Sequence, residues 1–373
     1  MPADSRRTTH DHVIPDSDPG SRSDRARTFR HGLVLGKFYP PHSGHHHLIR
    51  TALRACERVT VEVLASEVES ITLRQRLDWL TEDHPTARVV GGMDEAEIDY
   101  DSPTVWDAHM TVIESLLDAP VDAVFTSDGY GAELARRLGA TWVQVDPGRT
   151  DNQVSGTAVR ADLAGHWHEL TPGTRAGLAA RVVILGAEST GSTTLAEDLA
   201  AHFGAPWVPE YGREHTFARE GGLDEPWRPD EFDLIVDRQI VMEDVALRRA
   251  PVPLLICDTD VLATALWYER YLGVESPAIL ARAAAHLPDL YLLTGDEIPW
   301  VDDGSRDGEH IRQAMQQRFR EVLDAHPTPW AEVRGTPAER VAAAVPLVEA
   351  AVARRTSFAL PLEQLQQMTL QQA

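Results

Sequence analysis

Short apolar segments with strand-like composition alternate with helical segments through most of this 373-residue chain, and this alternation limits the folds open to it. The strand-like segments of the first half are 32–36, 59–64, 87–90, 123–126 and 141–145. After a break, the pattern restarts with 181–185, 253–257 and 290–293. Strands separated by helices of about 10–15 residues are typical of β-α units. The sequence therefore predicts an α/β fold with two parallel-sheet domains.

Composition and turn residues divide the chain further. Residues 1–29 are polar and rich in Ser, Asp, Arg, Thr and Pro, which predicts a disordered tail. We expect the first domain at 30–168 and, because of its Thr, Pro and Gly residues, a linker at 169–180. The second domain then occupies 181–355 and a C-terminal tail 356–373, of which the glutamine-biased part, 364–373, is expected to be a frayed helix or a tail.

Charge and cysteine content argue against several classes of protein. The formal net charge of −23 argues against a DNA-binding surface. The two cysteines, Cys56 and Cys257, have no metal-ligand spacing, which indicates a reducing compartment such as the cytoplasm. No run approaches the roughly 18 apolar residues of a membrane-spanning helix, and no apolar signal segment begins the chain. We therefore expect a cytoplasmic protein that binds small molecules and no membrane, while homo-oligomer formation stays open.

The first candidate site is the segment from Gly36 to His45, GKFYPPHSGH, which joins a strand to a helix. At such a junction, the backbone N–H groups and the positive end of the helix can bind a phosphate. Gly36 and Gly44 allow the backbone to approach a ligand closely. His42 and His45 are three positions apart at the start of the helix, so both rings can donate hydrogen bonds to one polyphosphate.

Other residues in and after this segment have a less specific signal. Lys37 is the only lysine of the chain, so every other fixed positive charge is an arginine. For His46 and His47, which follow the motif directly, we favour exposure to solvent or packing over a binding role. Asp128 and Tyr130 come just after a buried strand. They suit a ligand site at the carboxyl ends of the strands and a polar turn equally well.

The segment resembles the phosphate-binding motif G-x-F-x-P-x-H-x-G-H of the nucleotidyltransferase superfamily that includes the nicotinamide-mononucleotide adenylyltransferases. Residues 154–160, VSGTAVR, resemble the second motif of that family, ISGTxVR. Ser155 and Thr157 can cap the helix that begins there and offer hydroxyls to a phosphate. Arg160 supplies forked cationic donors for the β- and γ-phosphates of ATP. The resemblance implies a Rossmann-like domain in which a mononucleotide phosphate attacks the α-phosphorus of ATP and pyrophosphate leaves.

In this reaction ATP is a substrate, and catalysis needs positioning and charge neutralisation rather than a protein nucleophile. By the resemblance, the catalytic residues are His42, His45 and Arg160, and they are assisted by Lys37 and Mg²⁺. The implied ATP-binding residues of this domain are Gly36, Lys37, Phe38, His42, His45, Ser155, Thr157 and Arg160.

The second candidate site is the loop 186–194, GAESTGSTT, between the strand 181–185 and a helix. It fits the P-loop template G-x-x-x-x-G-K-[ST] except that Ser192 replaces the lysine. The loop can still offer N–H donors to a phosphate, and Thr193 can still bind Mg²⁺. The cation that compensates for the lysine must be an arginine. The candidates are Arg213, Arg306 and Arg312.

In this order, the later motifs resemble the ribosylnicotinamide kinase domain of the NadR-type bifunctional proteins. That family has GxES-x-GKST, then PEYGRE, then a DTD block followed by Thr, then a DG-x-R lid. This chain has GAESTGSTT, PEYGRE at 209–214, DTD at 258–260 with Thr264 after it, and DGSR at 303–306. The fused order of the two domains, adenylyltransferase before kinase, is also that of the family.

The resemblance implies a P-loop kinase domain with a nucleotide site and a riboside pocket. The implied ATP-binding residues are Gly186, Glu188, Ser189, Gly191, Ser192, Thr193, Thr194 and the lid cation Arg306. The implied riboside-binding residues are Glu210, Tyr211, Arg213, Asp258 and Trp267. Thr193 and Asp258 are the expected Mg²⁺ ligands, and Asp258 is alternatively the base for the ribose hydroxyl.

Together, the resemblances imply a bifunctional enzyme of NAD biosynthesis and salvage. The second domain would phosphorylate nicotinamide riboside with ATP, and the first would adenylate nicotinamide mononucleotide to NAD. The alternative is an adenylyltransferase whose second domain, with Ser192 in place of lysine, binds nucleotide only for regulation. Residues 1–29 do not resemble the helix-turn-helix of some relatives, so we do not expect DNA-binding repression. The preference for nicotinamide or nicotinate stays open.

Overall fold

The computed structural model describes residues 27–97, 99, 101–148, 150, 153–222, 225–300 and 309–372. Positions 1–26 of the predicted tail therefore lie outside the described residues. The strands are β1 (Phe29–Gly36), β2 (Cys56–Ala65), β3 (Arg88–Met93), β4 (Ala123–Thr126), β5 (Thr141–Gln144), β6 (Ala180–Leu185), β7 (Trp207–Val208), β8 (Leu254–Asp258), β9 (Leu290–Thr294) and β10 (Trp330–Val333).

The helices lie between these strands, as the alternation predicts. They are α1 (Ser43–Ala55), α2 (Leu73–Asp83), α3 (Pro103–Leu116), α4 (Gly131–Leu138), α5 (Gly156–Ala161), α6 (Pro172–Leu178), α7 (Ser192–Phe203), α8 (Tyr211–Ala218), α9 (Pro229–Arg249), α10 (Val261–Leu272), α11 (Pro277–Ala285), α12 (Glu309–Asp324), α13 (Pro337–Arg355) and α14 (Leu362–Gln372). In the part of the chain that the structure describes, no helix has both the length and the apolar character needed to cross a membrane.

The first sheet has the order β3-β2-β1-β4-β5, and its strands are parallel. Leu33 and Val34 of the central strand β1 are fully buried because helices cover both faces of the sheet. The order of the strands reverses between β1 and β4, which opens a crevice at their carboxyl ends. β1 ends at Gly36, so the first motif lies at this crevice.

The second sheet has the order β10-β9-β6-β8-β7 and is also parallel. Its central strand β6 runs directly into the loop that begins at Gly186. The neighbouring strands β8 and β9 end at Asp258 and Thr294, so their last residues flank that loop. The prediction of two parallel-sheet α/β domains, a Rossmann-like domain followed by a P-loop domain, is therefore confirmed.

The segment predicted as a linker, 169–180, packs between the two sheets' helices. It contains α6, and Leu178 and Ala179 are buried in an apolar cluster that Leu247 of α9 also contacts. Just before it, the Trp167 indole N–H donates to the Ala250 carbonyl oxygen at 2.7 Å. The connection is thus held by its own packing, while the predicted domain boundaries stay a prediction.

Glu62 in the middle of β2 is a carboxyl group in an apolar setting. It is fully buried, and neither carboxyl oxygen has a hydrogen-bond partner among the described residues. Burial raises its pKa to about 8, and the charge of Arg88 opposes this rise only in part. An ordinary glutamate titrates near 4.5, so between these values the folded protein keeps a proton that the unfolded chain releases. The free energy of unfolding therefore falls as the pH rises toward 8.

We expect Glu62→Met to raise the free energy of unfolding at about pH 8 by on the order of 1–3 kcal/mol, because an apolar side chain of similar length needs neither a partner nor a proton. Urea unfolding at about pH 5 and about pH 8 measures the effect. Glu57→Met, at the exposed start of the same strand, is the control and should change little. A Glu62→Met protein with the pH dependence of the wild type would contradict the prediction.

Candidate active sites

The first site is a cavity of about 500 Å³ at the carboxyl ends of the first sheet's strands. Both motifs line it, as the predicted ATP site requires. The predicted residues at its walls are Gly36, Lys37, Phe38, His42, His45, Ser155, Thr157 and Arg160. Asp128 and Tyr130, for which the sequence left two interpretations open, line the same cavity. The fold therefore brings every adenylyltransferase residue that the sequence singled out to one hollow.

His42 and His45 are held together at the first turn of α1. Their ring centroids are 3.8 Å apart, and the His42 backbone N–H donates to Nδ1 of His45 at 3.3 Å. Because Nδ1 accepts this bond, the neutral His45 ring carries its proton on Nε2. A Cβ on Gly44 would lie 3.1 Å from the His42 ring, so this glycine leaves room for the pair.

Arg160 is oriented by the first motif and by its own helix. Its Nη1 donates to the Tyr39 carbonyl oxygen at 2.7 Å, and its Nη2 donates to the Thr157 hydroxyl at 3.3 Å. The guanidinium also lies over the Tyr39 ring, 5.2 Å from its centroid. Ser155 caps α5 as predicted, because its Oγ accepts from the Ala158 N–H at 3.2 Å. The second motif is therefore fixed against the first by direct bonds.

Lys37 lies between two carboxylates. Its Nζ is 3.2 Å from Glu69 Oε1 and 2.5 Å from Oε2 of Glu363, a residue of α14. Glu69 is also paired with Arg76, at 2.7 Å, and both of these side chains are fully buried. Arg76 donates in turn to the Lys37 carbonyl oxygen at 3.0 Å. The only lysine of the chain is thus positioned by a buried ion pair.

Sequence reasoning missed one wall of this cavity. Trp106, His109 and Asp94 line it, and Nδ1 of His109 is 2.6 Å from Asp94 Oδ2. This hydrogen bond raises the pKa of His109. Asp94 directly follows β3, so the rule that drew attention to Asp128 could have found it. No comparable signal marks Trp106, which lies on α3.

The two histidines after the motif have different surroundings. His46 is buried, and its Nδ1 is 2.8 Å from Nε2 of His84, so it packs in the interior as predicted. Burial lowers the pKa of His46 to about 3, which keeps it neutral. His47 instead lines the first cavity, whereas we expected solvent or packing. The reason is the helical period, which turns these adjacent residues to different sides of α1.

The second site is a smaller cavity, about 130 Å³, around the loop that follows β6. The predicted residues at its walls are Gly186, Glu188, Ser189, Ser192, Thr193, Glu210, Arg213, Asp258 and Trp267. A Cβ on Gly186 would lie 2.2 Å from Thr190 Oγ1, so only glycine fits the start of the loop. Gly191 has a φ of 82°, which a side chain would strain.

Some predicted kinase residues are placed differently. Thr194 is exposed on α7, and Tyr211 is anchored through its backbone N–H, which donates to Gln239 Oε1 at 3.1 Å. Gly191 caps α7 outside the cavity wall. Arg306 lies outside the described residues. Arg312 is buried on α12 and does not line this cavity.

The predicted metal ligands meet at the floor of the second cavity. The Thr193 hydroxyl donates to Asp258 Oδ2 at 2.5 Å, and burial raises the pKa of Asp258. Mg²⁺ is commonly held by one or two protein oxygens together with substrate phosphates. The described residues contain no cluster of three or more acidic, histidine or cysteine ligands. The Thr193 hydroxyl and the Asp258 carboxyl group therefore fit a Mg²⁺ ion whose other ligands come from substrate phosphates.

The opposite wall of the second cavity is aromatic. Trp227, Phe232, Trp267 and Tyr271 line it, and the rings of Trp227 and Tyr271 are 5.2 Å apart. Glu210 and Asp258 line the same cavity. Burial and the Asp258 charge raise the pKa of Glu210 to about 7. The cavity therefore combines a flat apolar surface with a carboxyl group poised to exchange a proton near neutral pH.

The chain is similar in sequence to a family model and to curated relatives. A family model described as an AAA domain matches residues 181–340. Two relatives named "Trifunctional NAD biosynthesis/regulator protein NadR" are each 29% identical to this chain. The Escherichia coli (strain K12) relative matches over 317 residues, 79% of this chain and 76% of its own length. The Salmonella typhimurium (strain LT2) relative matches over 316 residues, 78% of this chain and 76% of its own length.

Solved structures show the same arrangement of the fold. A crystal structure described as NadR protein in complex with NR covers 88% of this chain and 96% of its own, with a TM-score of 0.62 and 20% identity. Another, in complex with NAD and AMP-PNP, has a TM-score of 0.61 and 21% identity over the same shares. The chain is similar to the NadR-type proteins in sequence and in fold. The NadR structures match this chain over both sheets, in agreement with the order of the two motifs in this chain.

The NadR-type pattern leaves the missing P-loop lysine to be explained. Arg213 and Ser192 both line the second cavity. Arg340 of α13, which sequence reasoning missed, is buried and donates to the Thr190 carbonyl oxygen of the loop. It also donates to the Gly295 carbonyl oxygen at 2.9 Å and to Glu297 Oε1 at 2.8 Å. Arg340 therefore stabilises the backbone of the loop, while Arg213 faces the space that a ligand would occupy.

We expect Arg340→Met to loosen the P-loop, because three acceptors would lose a charged donor. Hydrogen exchange of the amides at 186–191 should become faster by about tenfold or more, since local opening then costs less free energy. Arg334→Met is the matched control: Arg334 contacts the same Glu297 carboxylate but is half-exposed and does not reach the loop. Equal exchange in the two variants would show that Arg340 does not hold this backbone.

Proposed function

We propose that the protein catalyses two consecutive steps of NAD biosynthesis: phosphorylation of nicotinamide riboside in the second cavity and adenylation of nicotinamide mononucleotide in the first. The observation that carries the proposal is the presence of two separate phosphate cradles at two strand-to-helix junctions. His42, His45 and Arg160 surround one, and Thr193 and Asp258 lie at the other. The names of the relatives, which include NAD biosynthesis, support the same assignment.

In the first cavity, the residues act by positioning ATP and neutralising charge. His45, whose Nδ1 accepts from the His42 backbone N–H, would donate to a phosphoryl oxygen through Nε2–H. Arg160 is already oriented by Tyr39 and Thr157, so it loses little side-chain entropy when it binds a phosphate. Mg²⁺ would neutralise the triphosphate further. The mononucleotide phosphate attacks the α-phosphorus, and pyrophosphate is the leaving group, so no protein nucleophile takes part.

In the second cavity, two carboxyl groups have separate roles. The Thr193 hydroxyl already contacts Asp258, so this pair would hold Mg²⁺, which would supply positive charge to the phosphates of ATP. That leaves Glu210, with its pKa of about 7, to accept the proton of the ribose hydroxyl as this hydroxyl attacks the γ-phosphorus and ADP leaves. The aromatic wall of Trp227 and Tyr271 offers a surface on which the pyridine ring stacks.

The alternative, a second domain that binds nucleotide only for regulation, is not favoured. The second cavity keeps the metal pair, the titrating carboxyl group and an aromatic wall, which simple nucleotide binding does not require. Arg213 is the arginine that we propose in place of the P-loop lysine. A reducing, cytoplasmic location agrees with Cys56 and Cys257, both of which are buried free thiols. Oligomeric state and the absence of DNA binding stay predictions.

A separation-of-function assay tests the proposal. The wild-type protein with ATP, Mg²⁺ and nicotinamide riboside should form the mononucleotide and then NAD. His45→Ala should form the mononucleotide but slow NAD formation by about 10²-fold or more, because a donor to the transition state is lost. Glu210→Gln should convert supplied mononucleotide to NAD but phosphorylate the riboside about 10²-fold more slowly.

His168→Ala, which removes an exposed histidine, is the control for the first variant, and Glu214→Gln in the PEYGRE segment is the control for the second. Product analysis by chromatography follows both steps in one mixture. Wild-type protein that makes NAD from the mononucleotide but never phosphorylates the riboside would restore the regulatory alternative. An unchanged rate in His45→Ala would remove this histidine from the site.

The kinase step should depend on pH through Glu210. Its raised pKa means that the carboxyl group is protonated below about pH 7 and cannot accept the hydroxyl proton there. We therefore expect kcat/KM for the riboside to fall about tenfold for each pH unit below that value and to level off above it. Glu210→Gln should lose this limb while Glu214→Gln keeps it. A wild-type profile that is flat between about pH 5 and 8 would assign the base elsewhere.

A further inference from the structure

The end of the chain returns from the second sheet to the first cavity. α13 ends at Arg355, and its guanidinium Nη2 donates to the Gly177 carbonyl oxygen at 2.6 Å. The chain then crosses to the first motif and forms α14, and Leu362 and Glu363 line the adenylyltransferase cavity. We call residues 356–368 the strap. The sequence predicted a frayed helix or tail here, and the structure shows a helix packed over a candidate active site.

Specific contacts hold the strap at this position. The Tyr39 hydroxyl donates to the Ala359 carbonyl oxygen at 3.0 Å, and the Ala359 N–H donates to Ser70 Oγ at 3.1 Å. The Phe358 ring packs edge-on against the Tyr39 ring, with centroids 6.0 Å apart. Tyr39 belongs to the first motif and also carries the carbonyl oxygen that orients Arg160. The strap is therefore docked on the residue that organises the phosphate cradle.

The strap brings a negative charge to the lysine. Glu363 Oε2 is 2.5 Å from Lys37 Nζ, and both side chains are partly exposed. Glu69 also contacts Lys37 but is fully buried and has its own cation, Arg76, so its charge is already compensated. Glu363 has no such second salt bridge among the described residues. Glu363 is thus the partly exposed carboxylate at Lys37.

We propose that Glu363 is an internal competitor for the triphosphate of ATP and that the strap must leave Lys37 before ATP binds the first cavity. The inference rests on the proposed function, which assigns the triphosphate to Lys37 and Arg160. Lys37 already contacts Glu69, whose charge Arg76 compensates, so a phosphoryl oxygen would be a third anion at this ammonium and would repel the Glu363 carboxylate. Because the carboxylate is tethered, it is present at a high effective concentration and raises the ATP concentration needed for half-saturation.

The direction in which the KM for ATP changes in Glu363→Gln distinguishes competition from a supporting role of Glu363. If Glu363 competes, Glu363→Gln should lower the KM for ATP in the adenylyltransferase reaction by about two- to fivefold, the range of a partly exposed ion pair. Phe358→Ala, which loosens the strap without changing charge, should lower it in the same direction. If Glu363 instead held Mg²⁺ or completed the site, the KM for ATP or the Mg²⁺ requirement would rise in Glu363→Gln.

The kinase reaction and a distant charge change supply the controls. The KM for ATP in riboside phosphorylation should stay constant in both strap variants. Glu349→Gln, an exposed glutamate of α13, removes the same charge away from Lys37 and should leave both reactions unchanged. An unchanged or higher KM for ATP in the first reaction of Glu363→Gln overturns the proposal.

Hydrogen exchange tests the displacement of the strap independently of the proposed function. Addition of ATP to the full-length wild-type protein should speed exchange at 356–368, including the Ala359 amide, as the strap leaves Ser70 and Tyr39. If ATP leaves the exchange at 356–368 unchanged or makes it slower, the proposal that the strap leaves Lys37 is wrong, even if the enzyme is active. Absence of NAD formation from mononucleotide by the wild type would refute the proposed function, whatever the exchange of the strap shows.

Discussion

Both candidate sites depend on the same physical arrangement: a central parallel strand ends in a glycine loop, and a helix begins where the loop ends. The helix start leaves backbone N–H groups without intrahelical partners, and its dipole favours negative charge there. β1 leads to α1 through Gly36 and β6 leads to α7 through Gly186. Side chains from neighbouring strands and helices then add the cations and carboxylates that each reaction needs. Without these two junctions, the remaining side chains would have no common ligand to act on.

Much of this arrangement is readable from the sequence because its determinants are local. The alternation of strands and helices predicts the two sheets, and the motifs place His42, His45 and Arg160 at one cavity and Thr193 and Asp258 at the other. For His42 and Thr193, the strand, the glycine and the polar residue are close together in the chain, and Asp258 is the last residue of its strand. A parallel sheet then aligns the carboxyl ends of its strands, so separate motifs converge with no further information.

The residues that sequence reasoning missed reach the sites from elements without a motif. Trp106 comes from α3, Arg340 from α13 and Glu363 from α14. Whether such a residue meets a site depends on helix packing across long sequence separations, which periodicity does not encode. A glutamate in a glutamine-rich end is typical of a solvated tail, and only the contact with Lys37 shows that Glu363 belongs to the first cavity. His47 differs from His46 for a similar reason, since the rotation of α1 decides which ring faces the cavity.

Helix α13 connects the two cradles in a way that the motifs alone do not suggest. Near its start, Arg340 binds the carbonyl oxygen of Thr190 in the P-loop, and its last residue, Arg355, binds Gly177 beside the first sheet. The helix has 19 residues and so spans about 28 Å. The strap that follows ends on Lys37. The backbone of one candidate phosphate site and the lysine of the other are thus contacted from opposite ends of one helix and the strap that follows it, so the fusion of the two domains gives both sites a shared structural element.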